Sequence, residues 1–131
     1  MPTTITPLLM FSGKASEAMT FYTSLFADGK IIASELYGAD QGASFGKVKQ
    51  ASFSIAGQTF RCMDSPVEHD FSFTPSISIF VDCTSEQQIK DLAAALGEDG
   101  AAFMPLGAYV FARQFAWVQD RFGVCWQLSL T

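Results

Sequence analysis

The sequence predicts an α+β domain made of two βαβββ units, and three observations carry that prediction. Strand, helix and three strands follow one another, and the same order then repeats. An apolar run opens each unit, Thr6-Pro7-Leu8-Leu9-Met10-Phe11 in the first and Thr74-Pro75-Ser76-Ile77-Ser78-Ile79-Phe80 in the second, with a shared Thr-Pro. The chain has 131 residues, enough for one core, with half-units at about 4–65 and 73–131.

Thr4 to Phe11 is too short for a typical helix and ends at Ser12-Gly13, so it reads as a buried strand. From Lys14 to Phe26 the apolar residues Ala15, Ala18, Met19, Tyr22, Leu25 and Phe26 recur at helical spacing, and Asp28-Gly29 stops the helix. Lys30 to Leu36, Lys47 to Ile55 and Thr59 to Met63 have strand character, with Ala56-Gly57-Gln58 as a tight turn between the last two. Gly38, Gly42 and Gly46 read as a flexible connection without a helix. In the second unit, Thr74 to Val81 is the opening strand. Ser85-Glu86 then leads an amphipathic helix with Ile89, Leu92, Ala93 and Leu96, closed by Gly97. Ala101 to Pro105, Tyr109 to Val118 and Cys125 to Leu130 complete the repeat.

Composition narrows the function. Hydrophobic residues make up 49% of the chain, with thirteen Phe, which is a globular composition. A net charge of −5 and pI near 4.6, with eight scattered basic residues, argue against nucleic acid as a partner. No apolar run approaches the roughly 20 residues of a membrane span. Met1 to Met10 has neither a basic opening nor a cleavage site, so a cytoplasmic protein is expected. Cys62, Cys83 and Cys125 are widely spaced with no CxxC, and read as buried thiols; the alternative is a reactive thiol with His69, the one histidine, as partner.

Four stretches carry a family resemblance: the opening strand Ile5 to Phe11; Glu17-Ala18-Met19-Thr20-Phe21-Tyr22 with Leu25-Phe26; Ile77 to Cys83; and Asp120-Arg121-Phe122-Gly123-Val124-Cys125-Trp126-Gln127. Together they resemble the PhnB-like group, labelled demethylubiquinone methyltransferase-like, of the vicinal oxygen chelate superfamily, which unites glyoxalases, bleomycin-resistance proteins and extradiol dioxygenases. The resemblance implies two βαβββ units forming a curved, cup-like mixed sheet with helices on the outside, and a homodimer. It also makes Asp120 to Gly123 a turn, with Gly123 at positive φ and Asp120 capping it.

Catalytic members of that superfamily hold a divalent metal in the cup through His, Gln or Glu from four strands, where it acts as a Lewis acid. Carried over position by position, the ligands fall at Thr6 or Pro7, at Pro75 or Ser76, near Arg61 to Met63, and at Gln127. None is a histidine or a carboxylate, so no cofactor is expected and a divalent metal is the alternative. Glu68-His69-Asp70 reads as a solvated connection, because neighbours on an extended segment diverge. No GxGxxG turn supports a nucleotide-type methyl donor. The candidate ligand-binding residues are Gln127, Trp117, Phe115, Phe60, Arg61 and Ser76. The resemblance implies that Gln127, at the final-strand ligand position, faces the cup with Trp117, and strand alternation then turns Trp126 toward the helix. The leading expectation is a binding protein for a small organic ligand. The alternative is a metal-dependent lyase, isomerase, transferase or dioxygenase-like enzyme.

Overall fold

A computed structural model describes residues 2–131, which divide into two units, one ending at Asp70 and the other spanning Phe71–Thr131. The first contains β1 (Leu8–Phe11), α1 (Ala15–Ser24), β2 (Lys30–Leu36), β3 (Val48–Ile55) and β4 (Gln58–Asp64). Its sheet runs β1-β4-β3-β2, with β1 parallel to β4 and the other neighbours antiparallel. The second repeats the plan with β5 (Ile79–Asp82), α2 (Glu86–Gly97), β6 (Ala101–Tyr109), β7 (Ala112–Gln119) and β8 (Cys125–Leu130). Its order is β5-β8-β7-β6, again with a parallel first pair. Two four-stranded mixed sheets, each with its own helix, make the α+β fold that the repeat predicts.

In the first unit Ala15, Ala18, Met19 and Tyr22 of α1 are buried, and so are Ala51, Phe53 and Ile55 of β3 and Phe60 and Cys62 of β4. Tyr22 lies 6.1 Å from Phe53, which stacks on Phe60 at 5.3 Å. The alternation of β3 breaks between Val48 and Ala51 because the pairing with β2 shifts register between Glu35 and Leu36, a β-bulge around Lys49. In the second unit Ile89, Leu92 and Leu96 of α2 are buried with Ala116, Val118, Trp126 and Leu128.

Several predicted boundaries move. The opening strands are shorter, beginning at Leu8 and Ile79 rather than Thr4 and Thr74. The segment with Gly38 and Gly42 contains two short 3-10 turns within Ala39–Ser44, separated by a kink at Gly42 (φ 57°), where only a loop is expected from the sequence. β6 continues through Pro105 to Tyr109, and the turn falls at Val110-Phe111, so Tyr109 ends one strand and does not start the next. Pro105 is tolerated because β6 is an edge strand with irregular register. α2 ends on Gly97, but the left-handed residue after it is Asp99, at φ 58°.

Candidate functional site

The sheet face opposite α2 carries a row of side chains in register. Phe80 on β5 pairs with Gln127 on β8, Gln127 with Trp117 on β7, and Trp117 with Met104 on β6. Phe103 packs its ring 5.1 Å from the Trp117 indole and is 41% exposed, while Phe80 is 56% exposed. The indole Nε1 of Trp117 is buried and has no hydrogen-bond acceptor among the described residues. The Gln127 amide Nε2 donates to Ser78 Oγ at 3.4 Å. Phe115, two residues before Trp117 on the same face, is buried, and the rings of the exposed Phe111 and the half-buried Tyr109 lie 4.9 and 6.0 Å from it between ring centres.

Trp126 points the other way. It is fully buried, and its indole N–H donates to Asp120 Oδ2 at 2.9 Å. The other oxygen of Asp120 accepts from the N–H groups of Phe122 and Val124, and Gly123 stands at φ 95°. The Asp120–Gly123 segment is thus a turn-building element.

In the first unit the sheet face opposite α1 forms a groove of about 440 Å3, lined by residues that include Leu8, Glu35, Gln50, Ser52, Arg61 and Met63. Arg61 is exposed at the middle of β4, with Leu8 and Ser52 as its cross-strand neighbours. Glu35 is held by Lys49 Nζ at 3.5 Å and by the Gln50 amide at 3.2 Å. Apart from Arg61 and the Arg61–Met63 stretch that contains it, the sequence assigned no site role to these lining residues, since a groove on an open sheet leaves no local motif.

Two expected positions need correction. Phe60 lies on the α1 side of β4, only 5% exposed and stacked on Phe53, so it is placed in the core and away from the groove. Ser76 sits upstream of β5, its hydroxyl 2.7 Å from that of Thr74, and Ser78 takes the place beside Gln127.

The donor set does not fit a divalent centre. Thr6, Pro7, Pro75 and Ser76 all precede their strands, and Gln127 contributes at most a neutral amide. Asp64, the carboxylate nearest the Arg61–Met63 stretch, is buried. It accepts the N–H groups of Gly13, Ala15 and Val48 at 2.8, 2.9 and 3.0 Å. No group of three or more His, Cys, Asp or Glu among the described residues is placed to hold a metal ion. The sequence did not signal Asp64, whose bonds join residues 16 to 51 positions apart.

The helix starts are likewise engaged. Asp64 takes two N–H groups at the start of α1, and Ser85 Oγ accepts Gln88 N–H at α2 while Gln88 Oε1 accepts Thr84 N–H, a capping box one residue out of register. Neither β–α junction presents the open Gly-rich amides of a nucleotide-type cofactor site.

All three cysteines are free and buried, and burial raises each thiol, that of Cys62 to about 11 with help from the neighbouring Asp64 charge. His69 faces Ser65 Oγ at 2.9 Å. These thiols lack the lowered pKa of a nucleophile.

No helix of the described residues is long and apolar enough to cross a membrane. Comparison with known proteins gives the lineage. Residues 3–129 match the family model described as 3-demethylubiquinone-9 3-methyltransferase. A PhnB protein of Bacillus cereus, described in the same terms, is 46% identical over 98% of this chain and 100% of its own, with a TM-score of 0.95. Protein PA1353 of Pseudomonas aeruginosa is 27% identical over 98% of each chain, with a TM-score of 0.84. A glyoxylase/bleomycin resistance protein/dioxygenase domain of a Frankia species is 14% identical over 99% of this chain and 93% of its own; its TM-score of 0.64 shows a shared fold. No curated protein matches the chain. With nearly every residue inside the family match and the same paired βαβββ plan, the chain belongs to the PhnB-like, 3-demethylubiquinone-9 3-methyltransferase family, and it shares the fold of a glyoxylase/bleomycin resistance protein/dioxygenase domain.

Proposed function

We propose that the protein binds a small organic ligand on its helix-free sheet faces, without a standard divalent metal centre. The observation that carries this reading is the buried indole N–H of Trp117, which has no acceptor within the described chain and stands in register with Gln127. A buried donor left unmet costs about 1–3 kcal/mol, and a ligand acceptor beside it recovers that cost. Phe80, Phe103 and Met104 supply apolar surface around it, and Gln127 adds an amide that can donate and accept. Phe115 fixes the strand beneath and Arg61 offers a second polar contact point on the other sheet. Methyl transfer, which the family description names, finds no support in the β–α junctions.

The test is the indole resonance of Trp117, assigned by Trp117→Phe and followed during titration with aromatic fragments that carry a carbonyl or ether acceptor. A saturable downfield shift supports the reading. An indole signal indifferent to the whole series, with Gln127→Ala equally silent, overturns it. We further propose a homodimer, supported by Ile31, Ile32 and Leu36 on the edge strand β2, which are 44%, 51% and 53% exposed. Sedimentation at micromolar concentration checks this, and the mass of a single chain throughout would exclude it.

A further inference from the structure

The groove of the first unit sets one cation without a salt-bridge partner beside the apolar side chains of Leu8 and Met63, in a lining that is otherwise largely polar, and we propose that it recognises an organic anion, a carboxylate or phosphonate attached to an apolar body. This inference deepens the small-molecule reading and rests on it. Arg61 occupies β4, an inner strand flanked by β1 and β3, with Leu8 on one side and Ser52 on the other. No carboxylate of the described residues lies within salt-bridge distance of it. The one acid lining the groove, Glu35, is already engaged by Lys49 and Gln50 on the neighbouring strand. The cation free to meet a ligand is therefore Arg61.

The guanidinium suits this task better than an ammonium would. Its planar fork makes two parallel hydrogen bonds to a carboxylate or phosphonate, which fixes orientation as well as charge. Ser52, directly across from Arg61 on β3, can donate its hydroxyl to the same anion. Leu8 and Met63 border the groove, and a thioether adapts to aromatic faces. A volume of about 440 Å3 falls within the range of small-molecule sites. The net charge of −5 gives no general attraction for anions, so selectivity must come from this local cation.

The experiment compares 2-naphthoate with neutral 2-naphthamide by calorimetry and amide NMR on the full chain, using the parent protein, Arg61→Gln and Arg61→Lys. The expected result is naphthoate binding about tenfold or more tighter than naphthamide, with shifts centred on Ser52 and Met63. Arg61→Gln should abolish that preference, and Arg61→Lys should keep only part of it, because a point charge cannot form the fork. Both substitutions change an exposed side chain, and unchanged spectra elsewhere show an intact fold. Equal affinity for the two probes at the groove overturns the anion inference and leaves the small-molecule reading standing. Naphthoate binding that persists undiminished in Arg61→Gln also overturns it. If neither probe binds at the groove the inference falls, and the Trp117 indole in the same spectra reports separately on the broader reading.

Discussion

Asp120 and Trp126 hold one another in place at the start of β8: the carboxylate accepts the indole N–H at 2.9 Å while its other oxygen ties down the N–H groups of Phe122 and Val124. Both residues are buried, so these bonds have little competition from water. Asp64 plays a matching part in the first unit, joining the start of α1 to β3, and its own carbonyl accepts the Tyr37 hydroxyl at 2.9 Å. Each unit thus spends its best-buried carboxylate on backbone architecture, which removes it from any chemistry on the open faces.

Asp120→Ala is expected to destabilise the protein by about 3 kcal/mol, since three donors lose a charged acceptor in a buried setting. Trp126→Phe removes one of the three and should cost about 1–2 kcal/mol. Urea unfolding of both singles and the double variant measures the coupling. Strictly additive losses would show that the indole bond contributes nothing of its own.

The Cys62 thiol, raised to about 11, gives a pH dependence with a definite sign. The folded state holds this proton more tightly than the unfolded state, where the thiol titrates near its ordinary value of 9.0. Stability from this source is therefore complete below about pH 9 and falls as pH rises toward 11, by up to about 3 kcal/mol. Cys62→Ala should flatten that segment of the stability curve while lowering stability at neutral pH. Iodoacetamide should label Cys62 at pH 8 only as fast as the chain opens.

Ala56 and Gly57 both have positive φ, at 49° and 80°, the condition for a two-residue turn of the mirror-image type between β3 and β4. Asp28 accepts both their N–H groups, at 2.9 and 3.1 Å. Alanine is strained in this region and glycine is not, so Ala56→Gly is expected to stabilise by about 0.5–1 kcal/mol. A thermal melt that moves downward would contradict it.

The order of the elements was legible because period and punctuation are local. The helical spacing of Ala15, Ala18, Met19 and Tyr22 and the Ser85 cap need no knowledge of the rest of the chain. Val110-Phe111 escaped notice as a turn because it has neither glycine nor proline and is apolar throughout, which extends the apparent strand from Tyr109. The shortening of the opening strands has a similar origin. Pro7 and Pro75 sit in apolar runs, but proline has no N–H for a ladder, and Pro7 contributes only its carbonyl, to Arg61 N–H at 2.8 Å. That Trp126 and Gln127 of β8 face opposite ways could be read from alternation, and the family resemblance said which of them faces away from the helix. The roles of Asp64 and Ser78 could not, since both depend on partners distant in sequence.

Trp126, Gln127 and Trp117 separate stability from binding most sharply. Trp126→Ala removes a fully buried ring and its hydrogen bond to Asp120, so a loss of about 3–5 kcal/mol is expected. Gln127→Ala removes a partly exposed amide whose side-chain hydrogen bond among the described residues, to Ser78, is 3.4 Å long, and should change stability by less than about 1 kcal/mol. Trp117→Phe has two opposed effects: it sheds some apolar area, and it removes a buried N–H that no acceptor meets. Each is of order 1 kcal/mol, so the ligand-free protein should melt within a few degrees of the parent. Binding should respond in the opposite order. If the Trp117 N–H and the Gln127 amide contact the ligand, each of those two variants should lose about tenfold or more in affinity for an acceptor-bearing aromatic. Thermal melts alone can sink this assignment: Gln127→Ala or Trp117→Phe as costly as Trp126→Ala would mean that the face opposite α2 is core and not a binding surface.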